Sequence, residues 1–384
     1  MKMKKELKSL FVEKFGDSKD IKFFRSPGRV NLIGEHTDYN NGFVFPAAIS
    51  LEIRSAARLR KDSKISVWSE DFKQYAEWDL KDLSKSDKHW VNYIKGVVSR
   101  LPYIKNGFDA IFYSDLPPAA GLSSSAAFEL LNFFIITQFN GIEYKPKDAA
   151  LECQSAENNY IGVKCGIMDQ FAIALGKKSS ALFLDTSSLE YRIVSFNLDD
   201  FFIVISNTNK PRTLANSAYN QRRKECEETV SIIKTKVPQV NSLRDLSLET
   251  LEKYKELLND VQYRRARHVI EENSRVIESV SVLEKDNLKD FGRLMIASHD
   301  SLKNLYEVSC VELDILVEES LNIDGVLGSR MTGAGFGGCT VSIVRKDVVE
   351  DFKIKVGQNY FKKTGIHPDF YVVNIVDGTG YIPD

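Results

Sequence analysis

The chain is poor in the residues that staple or metallate a fold. Its five cysteines, Cys153, Cys165, Cys226, Cys310 and Cys339, lie far apart and form no CxxC pair. An odd count suits a reducing compartment. Five histidines give no HExxH and no other close pairing, so no zinc site is indicated. Long apolar runs are missing too. "FFIVI" at 201–205 is strand-sized and cannot span a bilayer. Neither sign of charge dominates: Lys plus Arg is 52 against 53 for Asp plus Glu. A net charge of -1 gives no electrostatic reason to expect DNA, RNA or an anionic membrane as partner. The first twenty residues lack a signal-type apolar core; Leu7, Leu10, Phe11 and Phe15 recur at helical spacing among charges. The expectation is a cytoplasmic protein with nothing removed. Internal repeats and low-complexity tracts are absent.

What is present is a globular mixture, 43% hydrophobic and 27% charged, in 384 residues, enough for two domains. Strand-like runs alternate with helical patterns, which predicts a mixed α and β fold. "FDAIFYSD" (108–115) alternates, with Phe108, Ala110 and Phe112 on one face. A helix over residues 123–140 follows, stopped by Gly141. Further helices are predicted over 148–160 and 167–176, then strands in "SALFLDT" and "FFIVIS". Residues 214–317 read as nearly all helix. Strands return in "CTVSIV" (339–344) and "FYVVNIV" (370–376). We expect domains at 1–200 and 201–384, packed tightly because no linker marks the boundary.

The first candidate site is "LPPAAGLSSSAAFELL" (116–131), a turn of prolines and small residues running through three serines into an apolar helix. The first turn of a helix leaves backbone N–H groups unpaired and carries partial positive charge. Small residues let an anion approach that backbone, and serine hydroxyls bind phosphate oxygens or Mg²⁺. The same residues would also suit an ordinary N-cap, for which one serine suffices. No GxxxxGK[ST] exists, so this is not a Walker-type loop. "GAGFGG" (333–338) matches GxGxxG but feeds the strand "CTVSIV" instead of opening a helix. It reads as a glycine-rich turn close to a ligand or to another backbone segment.

The second candidate, "RSPGRVNLIGEHTDYNNGFVFPAAI" (25–49), is the densest polar constellation. Arg29, Glu35, His36 and Asp38 stand amid apolar strand residues. Packed hydrogen-bonding groups of this kind suit a ligand with many hydroxyls. "DYNNG" alone would be a solvated turn.

On these motifs the chain resembles the galactokinases. "GRVNLIGEHTDYNNG" looks like their signature. "LPPAAGLSSSAA" resembles the phosphate motif of the wider GHMP group of sugar and metabolite kinases, and "MTGAGFGGCTVSIV" its third motif. "HWVNYIKGV", "CGIMDQFAIALG", "NTNKPRTLANSAYNQRR" and "SLKNLYEVSCVELDILVE" agree, so the resemblance covers residues 20–380. One departure stands out: the family usually has Gly where this chain has Ala119.

The resemblance implies a two-domain GHMP-kinase-like α+β fold with mixed sheets, helices and an active site between the domains. It implies ATP-dependent phosphorylation of α-D-galactose at the anomeric hydroxyl, with Mg²⁺. Loose phosphoryl-transfer transition states are helped mainly by positioning and charge neutralisation. By resemblance, Ala119, Ala120, Gly121, Leu122, Ser123, Ser124 and Ser125 wrap the triphosphate, and Ser125 with Glu157 holds Mg²⁺. Asp169 accepts the sugar proton and Arg29 stabilises the developing charge. Whether Asp169 takes the proton early or orients the nucleophile stays open, and an Asp at a helix start also complements the helix dipole. Glu35, His36, Thr37, Asp38, Gly166, Asp169 and Tyr219 bind sugar hydroxyls. Tyr219 lies in a charged helical stretch where surface exposure is the alternative. Ser69 and Trp90 sit near the adenine. The partners implied are galactose and ATP, with no nucleic acid or membrane, and the chain is expected to be a monomer. Competing readings are a kinase for N-acetylgalactosamine or another galactose-like sugar, and a sugar- and ATP-binding regulator without turnover.

Overall fold

A computed structural model of the chain describes residues 2–117, 120–210 and 215–383. It contains three sheets and a largely helical middle region. The first sheet orders Gly380–Tyr381, Lys22–Asn31, Pro46–Leu59, Phe108–Ser114, Lys64–Ser69 and Gln74–Asp79. Neighbours are antiparallel except Lys64–Ser69, which runs parallel to Phe108–Ser114. The second sheet is antiparallel and orders Val326–Thr332, Cys339–Arg345, Phe201–Asn207 and Asp369–Val373. In the third, Ser180–Asp185 lies between Phe43–Val44 and Tyr191–Ser195. The chain passes to the second sheet near residue 200, and its last strand returns to the edge of the first. One apolar core includes Phe24, Val30 and Leu130 from the first half and Ile203, Met295 and Val341 from the second. The fold is α+β, as the resemblance implies, and it mixes helices and strands as the alternating patterns predict.

The periodic middle region forms the helices Ala215–Lys234, Asp260–Leu283, Leu288–Ser301 and Val311–Leu321. The strand Phe108–Ser114 differs from its pattern. Alternation predicts one face toward solvent, yet Asp109 and Ile111 are buried as well. The helix Lys2–Phe15 covers that face, laying Leu7 and Phe11 beside Ala56 and Ile111. Asp109 is tolerated there because Arg58 and Arg60 reach its two oxygens at 2.7 and 2.8 Å, so the buried charge is paired.

Two features set the position of the site. The helix Ser124–Phe139 is apolar nearly all round and buried, as such a helix must be. Its Phe134 and Phe139 meet Phe24 of the strand Lys22–Asn31 edge to face, at 6.0 and 5.6 Å. Each such ring contributes on the order of 2 kcal/mol of transfer free energy, so helix and strand are firmly docked. The second feature is Gly28, beside an irregularity in the pairing at Pro27/Gly28. A Cβ there would lie 2.4 Å from Leu116 Cδ2 and 2.8 Å from the Leu122 carbonyl oxygen. Only glycine lets the serine loop lie on this strand, where Arg29 N–H donates to Leu122 O at 3.2 Å.

Candidate active site

Four segments converge on one cavity of about 160 Å³. Arg29, Glu35, His36, Asp38 and Tyr39 come from the first polar motif. Cys165, Gly166, Met168 and Asp169 come from the loop and first turn of the helix Met168–Leu175. Tyr219 comes from the helix Ala215–Lys234, and Gly333 and Ala334 from the glycine-rich turn. A larger open groove of about 760 Å³, between Arg25, Asp199, Lys346 and Asp377, contains none of the predicted site residues. The site belongs to the smaller cavity because the carboxylates and the arginine meet there.

Asp169 sits where the sugar-like motif meets the serine loop. Its Oδ1 accepts from Arg29 Nε at 2.8 Å and lies 2.7 Å from a second guanidinium nitrogen. Its Oδ2 accepts from the Ser123 hydroxyl. Arg29 is 6% exposed and gives its remaining arm to the Gly121 carbonyl at 2.7 Å. One guanidinium therefore ties the acid to the loop.

Ser123 is the N-cap of the helix Ser124–Phe139, but its hydroxyl does not cap. Its backbone is left-handed, φ +62°, a conformation that costs a non-glycine residue roughly 1 kcal/mol or more and clusters at functional sites. With the hydroxyl turned to Asp169, the first-turn N–H groups carry no side-chain cap and keep their capacity for an anion. Ser124 is exposed and Ser125 half-buried, while Ala120 and Leu122 are core residues. Ala119 lies outside the described residues.

Behind the loop, the helix Pro146–Ala156 widens into a π turn at Glu157–Ile161, a local irregularity frequent at functional sites. Glu157 is 6% exposed, and Oε2 accepts from Gln170 Nε2 at 2.8 Å. Cys165 Sγ lies 3.2 Å from the same oxygen, and the Ser125 side chain is near enough to favour the charged form of Glu157. Burial, with the Asp169 charge adding to it, pushes the Glu157 carboxyl above its usual range.

The sugar-like motif is clamped from outside its own sequence. Glu35 Oε1 accepts from Gly333 N–H at 2.7 Å and Thr332 Oγ at 3.1 Å, with Arg330 at 3.4 Å. The backbone N–H groups of Gly34 and Glu35 donate to Glu272 Oε1 at 2.9 and 3.3 Å. Burial opposes ionisation of Glu272, but Arg275, His268, Arg330 and the Ser298 hydroxyl together outweigh it and hold the carboxyl at about 2. His36 is left-handed, φ +63°, and burial pushes its imidazole down to about 3. Asp38 is pushed up to about 6, first by burial and then by the Asp169 charge. A Cβ on Gly166 would fall 1.9 Å from Asp38 Oδ2, so the absence of a side chain there leaves room for that carboxylate.

Thr37 is not brought to the cavity. Its hydroxyl faces the carbonyls of Gly34 and Phe43 at 2.8 and 2.6 Å and staples the loop. Ser69 and Trp90 also lie outside the cavity. Ser69 Oγ accepts from Phe72 N–H at 3.4 Å, and the Trp90 ring stacks with Phe72 at 6.3 Å. Tyr219 is half-buried and turned to the cavity, its ring 5.7 Å from His36. Sequence reasoning did not single out Tyr39, Cys165 or Met168 as lining residues. Tyr39 was within reach, since it belongs to the motif read as a turn. Glu272 and Arg330 gave no signal, because only folding brings them beside Glu35.

The chain matches three family models: the galactokinase galactose-binding signature over residues 9–59, the GHMP kinases N terminal domain over 92–177 and the GHMP kinases C terminal over 279–363. A curated galactokinase of Clostridium acetobutylicum is 47% identical, spanning 92% of this chain and 93% of its own length. One of Bacillus subtilis is 43% identical, over 98% of each. Among solved structures, Lactococcus lactis galactokinase complexed with galactose matches with a TM-score of 0.95 at 42% identity, over 99% of this chain and 100% of that one.

Proposed function

The chain belongs to the galactokinase family of GHMP kinases, and from that premise we propose how its cleft carries out the reaction. The reaction is ATP-dependent phosphorylation of galactose, giving galactose 1-phosphate and ADP. The observation that carries the mechanism is Asp169, bonded at once to Arg29 of the sugar motif and Ser123 of the phosphate loop.

The sugar lies among Glu35, His36, Asp38, Gly166 and Tyr219 with its anomeric hydroxyl toward Asp169. The triphosphate lies over residues 119–125, against the uncapped N–H groups of the helix start. As the O1–Pγ bond forms, the bond from Pγ to the β–γ bridging oxygen breaks and ADP leaves with that electron pair. The O1 proton passes to Asp169. Arg29 fixes the carboxylate and, being buried, meets the transferring group with an incompletely hydrated charge. Positioning is the main contribution, as expected for a loose transition state.

Mg²⁺ fits the Ser125 and Glu157 oxygens, since Glu157 is a buried carboxylate beside a second acid, Asp169. Among the described residues no cluster of three or more His, Cys, Asp or Glu could hold a metal alone. Phosphate oxygens and water would complete the shell, the usual habit of this ion. When bound, it neutralises phosphate charge. No helix among the described residues is long and apolar enough to cross a membrane.

A sugar panel with coupled ADP detection tests the assignment. Glucose, the 4-epimer, should be used at least ~10³-fold less efficiently than galactose, because a site built to bond a hydroxyl leaves groups unpaired when it points elsewhere. Equal kcat/KM on the two sugars would overturn the substrate assignment. Preference for N-acetylgalactosamine would move it to a relative of galactose.

A further inference from the structure

A chain of hydroxyl groups runs away from the cavity into the protein. His36 Nδ1 lies 2.8 Å from the Tyr39 hydroxyl, which lies 2.7 Å from the Tyr306 hydroxyl. The Tyr306 hydroxyl lies 3.2 Å from Cys226 Sγ. Tyr306 and Cys226 are buried and take no part in lining the cavity. The chain draws on three separate elements: the loop at 36–40, the helix Ala215–Lys234 and the π turn Leu302–Tyr306. Ring packing keeps it in register, with Tyr306 4.9 Å from His36 and 4.5 Å from His268. Arg222 Nε anchors the Tyr306 carbonyl at 2.8 Å.

Such a chain has a direction. The buried His36 is neutral at physiological pH and carries a single N–H. Each tyrosine hydroxyl has one proton to give. Either Nδ1 accepts, and protons are donated from Cys226 through Tyr306 and Tyr39, or Nδ1–H donates and the series ends on sulfur. Burial keeps the Cys226 thiol protonated, and Asn40 Nδ2 lies 3.7 Å from the same sulfur, so the thiol holds its end of the series in place as donor or acceptor. Either direction fixes a single tautomer: the first leaves the ring hydrogen on Nε2, the second on Nδ1 with Nε2 free to accept. Nε2 is buried and has no hydrogen-bond partner of normal geometry, although the Ala334 backbone lies near enough to favour the charged ring.

We propose that Tyr306, backed by Cys226, is a positioning residue that fixes the tautomer and tilt of His36 through Tyr39, so that its unpartnered Nε2 is held for a galactose hydroxyl. The inference rests on the galactokinase reading of the cavity.

Tyr306→Phe removes one oxygen and keeps the ring. We expect KM for galactose to rise on the order of 10-fold, the effect of a lost neutral hydrogen bond, with kcat and KM for ATP unchanged. ¹⁵N spectra of the imidazole should shift from one tautomer to a mixture. Among monodeoxygalactoses, the sugar lacking the hydroxyl that meets His36 should show no difference between variant and parent. Cys226→Ala should act in the same direction more weakly, and Cys226→Ser, which keeps a donor, should restore the parent values. That pair decides the matter if Tyr306→Phe does not fold. Unchanged galactose KM, or a raised KM with an unchanged ¹⁵N pattern, overturns the proposal. His36→Asn separates the two layers. If it leaves galactose KM alone, the sugar-site reading fails. If it raises KM while Tyr306→Phe does not, only the positioning chain fails.

Discussion

Gly166→Ala is the sharpest perturbation the geometry offers. The added methyl would sit 1.9 Å from Asp38 Oδ2, 2.8 Å from Cγ and 3.4 Å from Cβ. Something must move, and the nearest object is the free end of a side chain, which moves easily. The fold should therefore survive, with a thermal midpoint close to that of the parent. What is lost is the placement of the Asp38 carboxylate. A hydrogen bond to a charged group is worth about 1.5–3 kcal/mol, and each 1.4 kcal/mol is tenfold. Galactose kcat/KM should fall about 10- to 150-fold on that arithmetic. KM for ATP at saturating sugar should stay within about twofold, because the methyl points into the sugar side of the cavity. Steady-state kinetics with each substrate varied, beside a melting curve, decide it. Parent-like galactose kinetics in a folded variant would refute the claim that Asp38 reads the sugar from this position.

Three other outcomes follow from the same geometry. Asp169→Asn keeps the contacts to Arg29 and Ser123 but cannot take the proton, so kcat should drop about 10²–10⁴ with folding retained; near-normal turnover removes Asp169 from proton transfer. Glu157→Gln should raise the Mg²⁺ concentration for half-maximal rate and weaken calorimetric binding of ATP with Mg²⁺, and an unchanged isotherm would make Glu157 structural. Asp38 titrates at about 6 in the fold, so galactose affinity should fall as pH drops below 6, and Asp38→Asn should flatten that profile. The same raised value means its contribution to stability is fully present below about 4, the unfolded carboxylate range, and is lost as pH rises through 6. Denaturant titrations of parent and Asp38→Asn across that window test the sign.

The motifs that carry chemistry were legible because each is local. Arg29, Glu35, His36 and Asp38 fall within ten positions, Gly166 and Asp169 within four, and the serines are consecutive. The helices were legible because their apolar spacing is long and regular. Pairings between distant segments were not. Thr37 reads as one more hydroxyl in a polar loop, but the turn at 34–43 consumes it. The strand 108–114 reads as half-buried, because nothing in its own alternation announces a helix from residues 2–15 on its other face. Ser123 reads as a cap or a phosphate ligand, and its bond to Asp169 spans 46 positions.

These long-range bonds explain why the site needs most of the chain. The Asp169 charge raises the cost of ionising Asp38, and Glu35 adds a third negative charge nearby. Left alone, three acids in one small cavity would protonate or push apart. Arg29 offsets one from the first sheet, and Arg330 approaches another from the second. Glu272 adds a fourth buried charge, yet it serves the arrangement by taking the Gly34 and Glu35 N–H groups and is itself held by Arg275. The acids that read a polyhydroxyl ligand are thus kept together by cations from separate sheets and a helix between them. A change at Arg330, far from either motif in sequence, should accordingly disturb Glu35 before it disturbs the phosphate loop.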